Sequence, residues 1–598
     1  MPSTLNVNGA VIATPGVYTS VDSSGLDITG LSASGVLGVI GTAVGGTPYT
    51  ALDSVDDIVT ITNPSQGLRQ YQSGDLLEAI GIAFNPSNDA SVKGGAQAVL
   101  ALQVNPATQA ILTEDSGHVT FTADAYGSLG NAVSVQISSG TTSGQRITIT
   151  NGTTTEIGDN LDNADATAVV AWVNANSKLV TATYTQQAAN NTQYGAFLTP
   201  TNTAVAQGDT YSVKINGTTF SHTVSASDSI VTVLQALTAA INGGSLGLQA
   251  TFQQPTPGVV AYRIYVVQPS GAPITVLPVN NMAFTENDIT VAGPALVNPP
   301  ALPTGAAQSL AGGSDGQATF QDWLNCLNLF KQVRVNSVIV LTTDASVHAA
   351  LAAHCAYMCG AGQSERDGWV GIAASATQLP SRTDILSALN ALNDPNIRAC
   401  AGGITRYNNA GVLTQFPTYF EALLGAGMQA GSSPGQSLTR KTTNCLAVAR
   451  DKSWNLADNR EEMILAGLLF QENKPNVGRR WVRNVTTWTT DNNAAYSDGG
   501  VRNAVNYAVY NLREAVDFAI GRENFAGTNN AIVAVAGKYL QQLIAENVIT
   551  AYRALGVTPD PDEGDALLLT VQIAPTQTIN FINFTISLAT PTQIAAAA

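Results

Sequence analysis

Charge is what this sequence has least of. Only 11% of its 598 residues are Asp, Glu, Lys or Arg, under half of the roughly 25% usual in soluble domains. The surface therefore has to be built from Thr, Ser, Asn, Gln, Ala and Gly, a weakly hydrated composition suited to meeting other protein surfaces. What charge there is leans acidic, with 42 Asp and Glu against 26 Lys and Arg and a formal net charge of −16. That excludes a generic nucleic-acid binder, which meets phosphates with clustered Lys and Arg, so no direct nucleic-acid partner is expected. Cysteine is scarce as well: Cys326, Cys355, Cys359, Cys400 and Cys445 are odd in number and absent from the first half. They make a poor disulfide framework and point to a reducing compartment. There is no apolar run of about 18 residues, hence no expected membrane insertion. The opening "MPSTLNVNGAVIATPGVY" has neither the basic nor the continuous apolar part of a signal peptide.

What is present is ample apolar material, 44% of the chain, at a length that calls for several cores. Residues 1–30 are short apolar pieces broken by "TPGVY" and read as an extended N-terminal arm. A first core segment spans 31–104, with strands at "GVLGVIGTA" and "AQAVLALQV" around the helix-like "GDLLEAIGIAF". From 105 to 196, apolar–polar alternation around Asn-Gly and Ser-Gly turns predicts antiparallel β-structure, with one helix over 163–177. An inserted β-rich module follows at 197–305. The stretch 197–309 has only six charged residues in 113, a hairpin with Asn216-Gly217 at its turn, a helix at 229–243 and a closing Pro-rich linker. Residues 306–430 alternate helix and strand, the pattern of an α/β core with a mostly parallel sheet. A C-terminal helical and β segment occupies 431–560, with amphipathic helices predicted over 501–520 and 530–556. The last segment, 561–598, opens on the acidic "PDPDEGD". It ends in a period-2 pattern in which Ile582, Phe584 and Ile586 alternate with polar residues, and a strand at the end of a chain needs a neighbour to pair with. The fold class is thus α+β/α/β multidomain: an α/β core domain with terminal β arms plus inserted β-rich domains.

Several stretches invite a chemical reading. "LAGGSDG" (310–316) is a glycine-rich loop before a helix, as in phosphate cradles, but no Lys follows its last glycine and Asp315 would repel a phosphate. It reads better as a turn whose Ser314 or Asp315 caps the next helix. His348, Cys355 and Cys359 share a helical face at spacings that could hold zinc; buried packing is the stronger reading for cysteines so placed. Four histidines and no Gly-x-Ser-x-Gly elbow leave little for nucleophilic catalysis. The basic run "GRRWVRNVTTW" (478–488) is suited to salt bridges with nearby acids or with an acidic partner. No enzyme, no cofactor and no metal are expected.

The same stretches, taken in order, resemble contractile tail sheath proteins of long-tailed bacteriophages. The resemblance is carried by "TPGVYTSVD", "GVLGVIGTAVGGTP", "GSLGNAVSVQI", "LAGGSDG" with "FQDWLNCLNLF", "PTYFEALLGAGMQAGSSPGQSLTRKTTNCLAV", "RWVRNVTTW" and the ending "GDALLLTVQIAPTQTINFINFTI". It covers roughly 1–180 and 306–598. The module at 197–305 departs from it and looks like a small β-rich unit of phage structural proteins, decorating the outer surface. The resemblance implies a structural subunit that assembles as stacked hexameric rings around a tail tube and contracts irreversibly to drive the tube through the host envelope. A sheath of a phage-like secretion or injection system is the nearest alternative, and a cytoplasmic metalloenzyme built on His348, Cys355 and Cys359 is the remote one. The implied partners are the chain itself, the tail tube protein, baseplate proteins and tail terminator or neck proteins; the implied location is the virion, after assembly in the host cytoplasm. Terminal arms that add strands to neighbouring subunits would then include Val17, Tyr18, Leu569, Val571, Ile573, Ile582, Phe584 and Ile586. Arg513, Arg522, Lys538 and Arg553, expected on the late helices, are candidates for facing an acidic tube. A glycan-binding role for the inserted module would rest on Tyr211, Phe220, Tyr262 and Tyr265, with shielding as the simpler role.

Overall fold

The computed structural model describes residues 5–7, 10–12, 34–49, 54–92, 94–114, 118–188, 194–256, 261–268, 274–285, 296–375, 377–449, 457–563 and 565–586. The chain divides into two compact units, one of residues 1–110, 125–130 and 312–598 and the other of 111–124 and 131–311.

The first unit is organised by a six-stranded sheet. In chain order its parts are β1 (Val36–Gly41), β2 (Val59–Ile61), α1 (Asp75–Phe84), β3 (Ala98–Gln103), α2 (Phe320–Leu329), β4 (Ser337–Val340), α3 (Ala345–Cys359), β5 (Asp367–Gly371), α4 (Arg382–Leu392), β6 (Ile397–Cys400) and α5 (Thr418–Ala430). The strand order is β6-β5-β4-β1-β3-β2. All neighbours are parallel except β2, which runs antiparallel to β3 at the edge. The chain leaves β1 toward one edge and returns to its other side, so the sheet is doubly wound.

Alternation along the strands divides the core in two. Leu37, Val39, Val99, Ala101, Ile339, Trp369 and Cys400 face α1 and α5. Ile40, Leu102, Val338, Val340, Val370 and Ala399 face α2, α3 and α4. With both faces covered, the middle strands read as continuous apolar runs rather than alternating ones. Every residue of α5 is buried, and Gly425 lies so close to the Trp369 ring that a Cβ there would overlap it.

α5 also carries a buried acid. Glu421 accepts hydrogen bonds from Gly402 N at 2.7 Å and Gln471 Nε2 at 3.2 Å, yet burial pushes its carboxyl up to about 8. The folded protein therefore holds this proton where an unfolded glutamate has lost it. The associated stability is complete below about pH 4.3, the ordinary glutamate value, and is lost as pH rises through the folded value near 8. We expect the stability of Glu421→Gln relative to the parent to rise by about 1–3 kcal/mol between pH 5 and pH 8. Urea denaturation of both proteins at the two pH values checks this; an equal difference at both would refute it.

The second unit is β-rich. One antiparallel sheet runs Thr155–Leu161, Gln145–Thr150, Ser134–Ser139 and Gln308–Ser309, and the helix Thr167–Asn176 belongs to the same unit. Residues 196–284 keep a core of their own. A four-stranded sheet (Gln249–Gln253, Arg263–Gln268, Tyr194–Pro200, Met282–Thr285) and a three-stranded one (Thr218–Thr223, Thr210–Ile215, Val276–Asn280) pack with the helix Ile230–Asn242. Ser229 and Thr232 cap that helix reciprocally. The hairpin turn falls at Asn216-Gly217, with φ of +47° and +82°, the left-handed values a tight hairpin turn demands. Tyr211 and Phe220 sit in this core, which removes both from any glycan surface. Tyr265 remains half-buried beside Phe197, ring centroids 4.8 Å apart.

Candidate assembly interface at the C-terminal segment

The end of the first unit is built on two helices, α6 (Gly499–Val516) and α7 (Ala526–Ala545). Asp498 starts α6 by accepting from Gly500 N and Val501 N at 2.9 and 3.1 Å, and Ala504, Ala508, Leu512 and Ala515 then make its buried stripe. The structure ends α7 at Ala545, short of the helix predicted through 556. Asn547 turns the backbone at φ +60°, and the β-branched Val548, Ile549 and Thr550 that follow lead into β9 (Ile549–Pro559). β9 pairs antiparallel with β10 (Leu567–Pro575). Ala554, at φ +54°, marks a bulge between Arg553 and Gly556 that lets β9 bend over the helices.

This hairpin changes the place of three predicted arm residues. Leu569, Val571 and Ile573 pack against the α6–α7 core of their own chain, on a strand paired in cis with β9. The sequence signal was available in the turn "PDPDEGD" between two β-branched runs. The sheet has two strands only, so among the described residues each strand keeps an outer edge without a ladder partner, a ready template for a further strand.

Beyond β10 the chain is held at Thr576, whose N and Oγ1 donate to Val548 O and Asn547 O at 3.1 and 2.7 Å. From there to residue 586 it forms neither helix nor strand. Ile579, Phe581, Ile582, Phe584 and Ile586 are 80, 77, 70, 84 and 81% exposed. A run of apolar side chains this open marks an interaction surface. The polar anchors are slight: Asn580 Nδ2 donates to Asp498 Oδ2 at 3.3 Å, and the Arg483 guanidinium lies 5.5 Å from the Phe581 ring centroid. Among the described residues the period-2 pattern at 582–586 thus has no partner strand, and it forms no strand here. Val17 and Tyr18 lie outside the described residues; nearer the start, Leu5–Val7 pairs with Ala10–Ile12.

The basic candidates do not share one helical face. Arg513, on α6, is engaged by Glu365 through two bonds of 2.6 and 2.9 Å. Arg522 follows α6 in a turn, its guanidinium 5.1 Å from the Phe518 ring centroid. Lys538 is exposed on α7. Arg553 is on strand β9, donating to Gln572 at 2.7 Å, because α7 ends earlier than its periodicity suggested.

Other candidate groups serve the fold. The Asp315 carboxylate accepts from Ser128 N and Ser128 Oγ, both at 2.8 Å, and α2 is capped instead by Thr319 with Asp322. The cap therefore falls four residues past Asp315 and five past Ser314, the two predicted positions. His348 bonds Thr342 O through Nε2 at 2.9 Å, Cys355 is fully buried and Cys359 Sγ donates to Arg366 O at 3.2 Å. The basic run 478–488 supplies Arg480 to a buried glutamate, Glu472, which also receives Arg440 and Arg460.

No family model matches the chain. It is 23% identical over 584 residues to the tail sheath protein of Bacillus phage SP01, covering 97% of this chain and 96% of that one. It is 24% identical over 595 residues to a putative tail sheath protein of Enterococcus phage phiEF24C, covering 96% of each. Among solved structures, the sheath tail protein of Desulfitobacterium hafniense superposes with a TM-score of 0.54 at 15% identity, covering 94% of this chain and 97% of the other; that likeness is one of fold.

Proposed function

We propose that this chain, similar to phage tail sheath proteins along nearly its whole length, is the structural subunit of a contractile tail sheath and a component of the virion. The observation that carries the reading is the C-terminal segment: a two-stranded hairpin with open edges followed by an exposed apolar run. Among the described residues the hairpin leaves one edge of each strand unpaired and the run leaves its apolar side chains open, whereas a lattice of copies would satisfy both. In this reading Ile579, Phe581, Ile582, Phe584 and Ile586 cross to a neighbouring copy and add backbone to an open sheet edge. A contact that joins different surfaces of successive copies is heterologous, and when the rotation does not close it generates a helical tube. We place the copies in hexameric rings around a tail tube, with baseplate and terminator proteins at the ends. Contraction then draws its free energy from exchanging one set of subunit contacts for another, so no nucleotide site is called for. Purified full-length chain at high concentration is expected to form long hollow tubes in negative-stain electron microscopy. Discrete monomers or small closed oligomers under all conditions would overturn the reading.

A further inference from the structure

Three arginines of this acidic chain gather on one buried carboxylate. Glu472, on β7 (Gln471–Lys474), pairs with Arg480 on β8 (Gly478–Trp481) at 2.8 Å, opposite it in register. It is also bonded by Arg460, from the helix Ala457–Leu465, and by Arg440, whose backbone runs beside β8. One carboxylate cannot neutralise three guanidinium groups, and two charges are left over. Arg440 keeps about half of its side chain in solvent. Lys474 is exposed at the end of β7, and Lys441, bonded to Ser91 with Asp89 nearby, adjoins Arg440. Glu461 is exposed on the helix of Arg460, while Glu462 is taken by Arg382.

The complementary feature is the turn between β9 and β10. Asp560, Asp562, Glu563 and Asp565 place four carboxylates within six residues, and among the described residues none of them has an ion pair. The turn is shaped, not loose: Asp560 N donates to Ala566 O at 3.0 Å, Ala566 N to Glu563 O at 3.1 Å and Asp562 N to Asp560 Oδ1 at 2.9 Å. Pro559 and Pro561 further restrict it, lowering the entropy lost on docking.

We propose that this acidic turn in one copy docks on the arginine cluster around Glu472 in the next copy, making a head-to-tail contact that sets the register of assembly. The proposal rests on the sheath reading for a next copy to be present. Carboxylate pairs match guanidinium forks in geometry as well as sign, and charge complementarity of this kind chiefly orients partners and rejects wrong alignments. A second copy is the occupant because it brings the matching turn in one-to-one ratio. A phosphate backbone would be met by a chain of net charge −16.

Carbodiimide coupling of full-length protein, mixed from isotope-labelled and unlabelled copies, tests this directly. The expected product joins the 560–565 turn to Lys474 or Lys441 with one label on each side. Assembly is then compared for Asp562→Lys with Glu563→Lys, for Arg440→Glu with Lys474→Glu, and for the combination. Each reversal should reduce pelletable assembly about tenfold near 0.15 M salt, and the combination should restore most of it. Absence of the intermolecular product, or single reversals that assemble like the parent, would overturn the proposal. The product without tubes would overturn the sheath reading alone.

Discussion

A chain ending at Thr576 should fold as the full-length protein does and form no tubes. The cut keeps β10, its ladder with β9 and the packing of Leu569, Val571 and Ile573 on α6 and α7. Of what it removes, the described residues 577–586 make chiefly the contacts of Asn580 with Asp498 and Phe581 with Arg483. Their loss should change unfolding stability by no more than about 1 kcal/mol, as for other surface changes. In assembly the effect is of another order. Each apolar side chain covered by a neighbour contributes roughly 1.5–3 kcal/mol, and five such residues recur in every copy. Thermal unfolding beside negative-stain microscopy separates the two effects. Tubes from the shortened chain would remove the tail from assembly. A cut before Leu567 is a different experiment, since it strips β10 from the α6–α7 core and should destabilise the monomer itself.

Arg398→Met should be the most destabilising single change, lowering stability by about 3–5 kcal/mol. Arg398 is fully buried on β6 and pairs with Asp367 on β5, also buried. Its Nη2 donates to Gly499 O at 2.7 Å, tying the first residue of α6 to the sheet. Asp367 in turn accepts from Gln429 Nε2 at 2.6 Å and from Trp369 Nε1 at 3.3 Å, so the network joins β5, β6, α5 and α6. Removing the arginine leaves a carboxylate in the core with two neutral donors and no countercharge, which costs far more than losing one bond. Arg398→Met combined with Asp367→Leu should regain part of the loss, because no unpaired charge then remains in the core, although Gln429 Nε2, Trp369 Nε1 and Gly499 O each lose a partner. Urea denaturation followed by tryptophan fluorescence, with Trp369 inside the network, reports the difference. A single variant as stable as the parent would show that the pair contributes nothing net.

Much of the α/β core was legible because its signals are local. Short apolar runs between glycines became the parallel strands, while the cap of α2, expected at Ser314 or Asp315, is Thr319. The errors came where a distant partner decides. "NVITAYRALG" fits a helical period as well as a strand, and it is the β10 strand lying later in the chain that makes it β9. Tyr211 and Phe220 alternate in a hairpin either face of which could have been open; the helix Ile230–Asn242 covers theirs. Arg513 looked available until α6 brought it to Glu365, 148 residues away in sequence.

The sequence by itself determined the periodicities, the acidic balance, the scarcity of charge and the apolar ending, since these depend on composition and on neighbours within a few residues. It also carried the resemblance to tail sheath proteins. Tertiary structure alone decided which half of that ending is used within the chain. Residues 567–575 have a partner strand and a helical core to cover them, whereas among the described residues 577–586 have neither. An extended segment becomes a strand only where it meets backbone donors and acceptors in register, and among the described residues 577–586 pair with none.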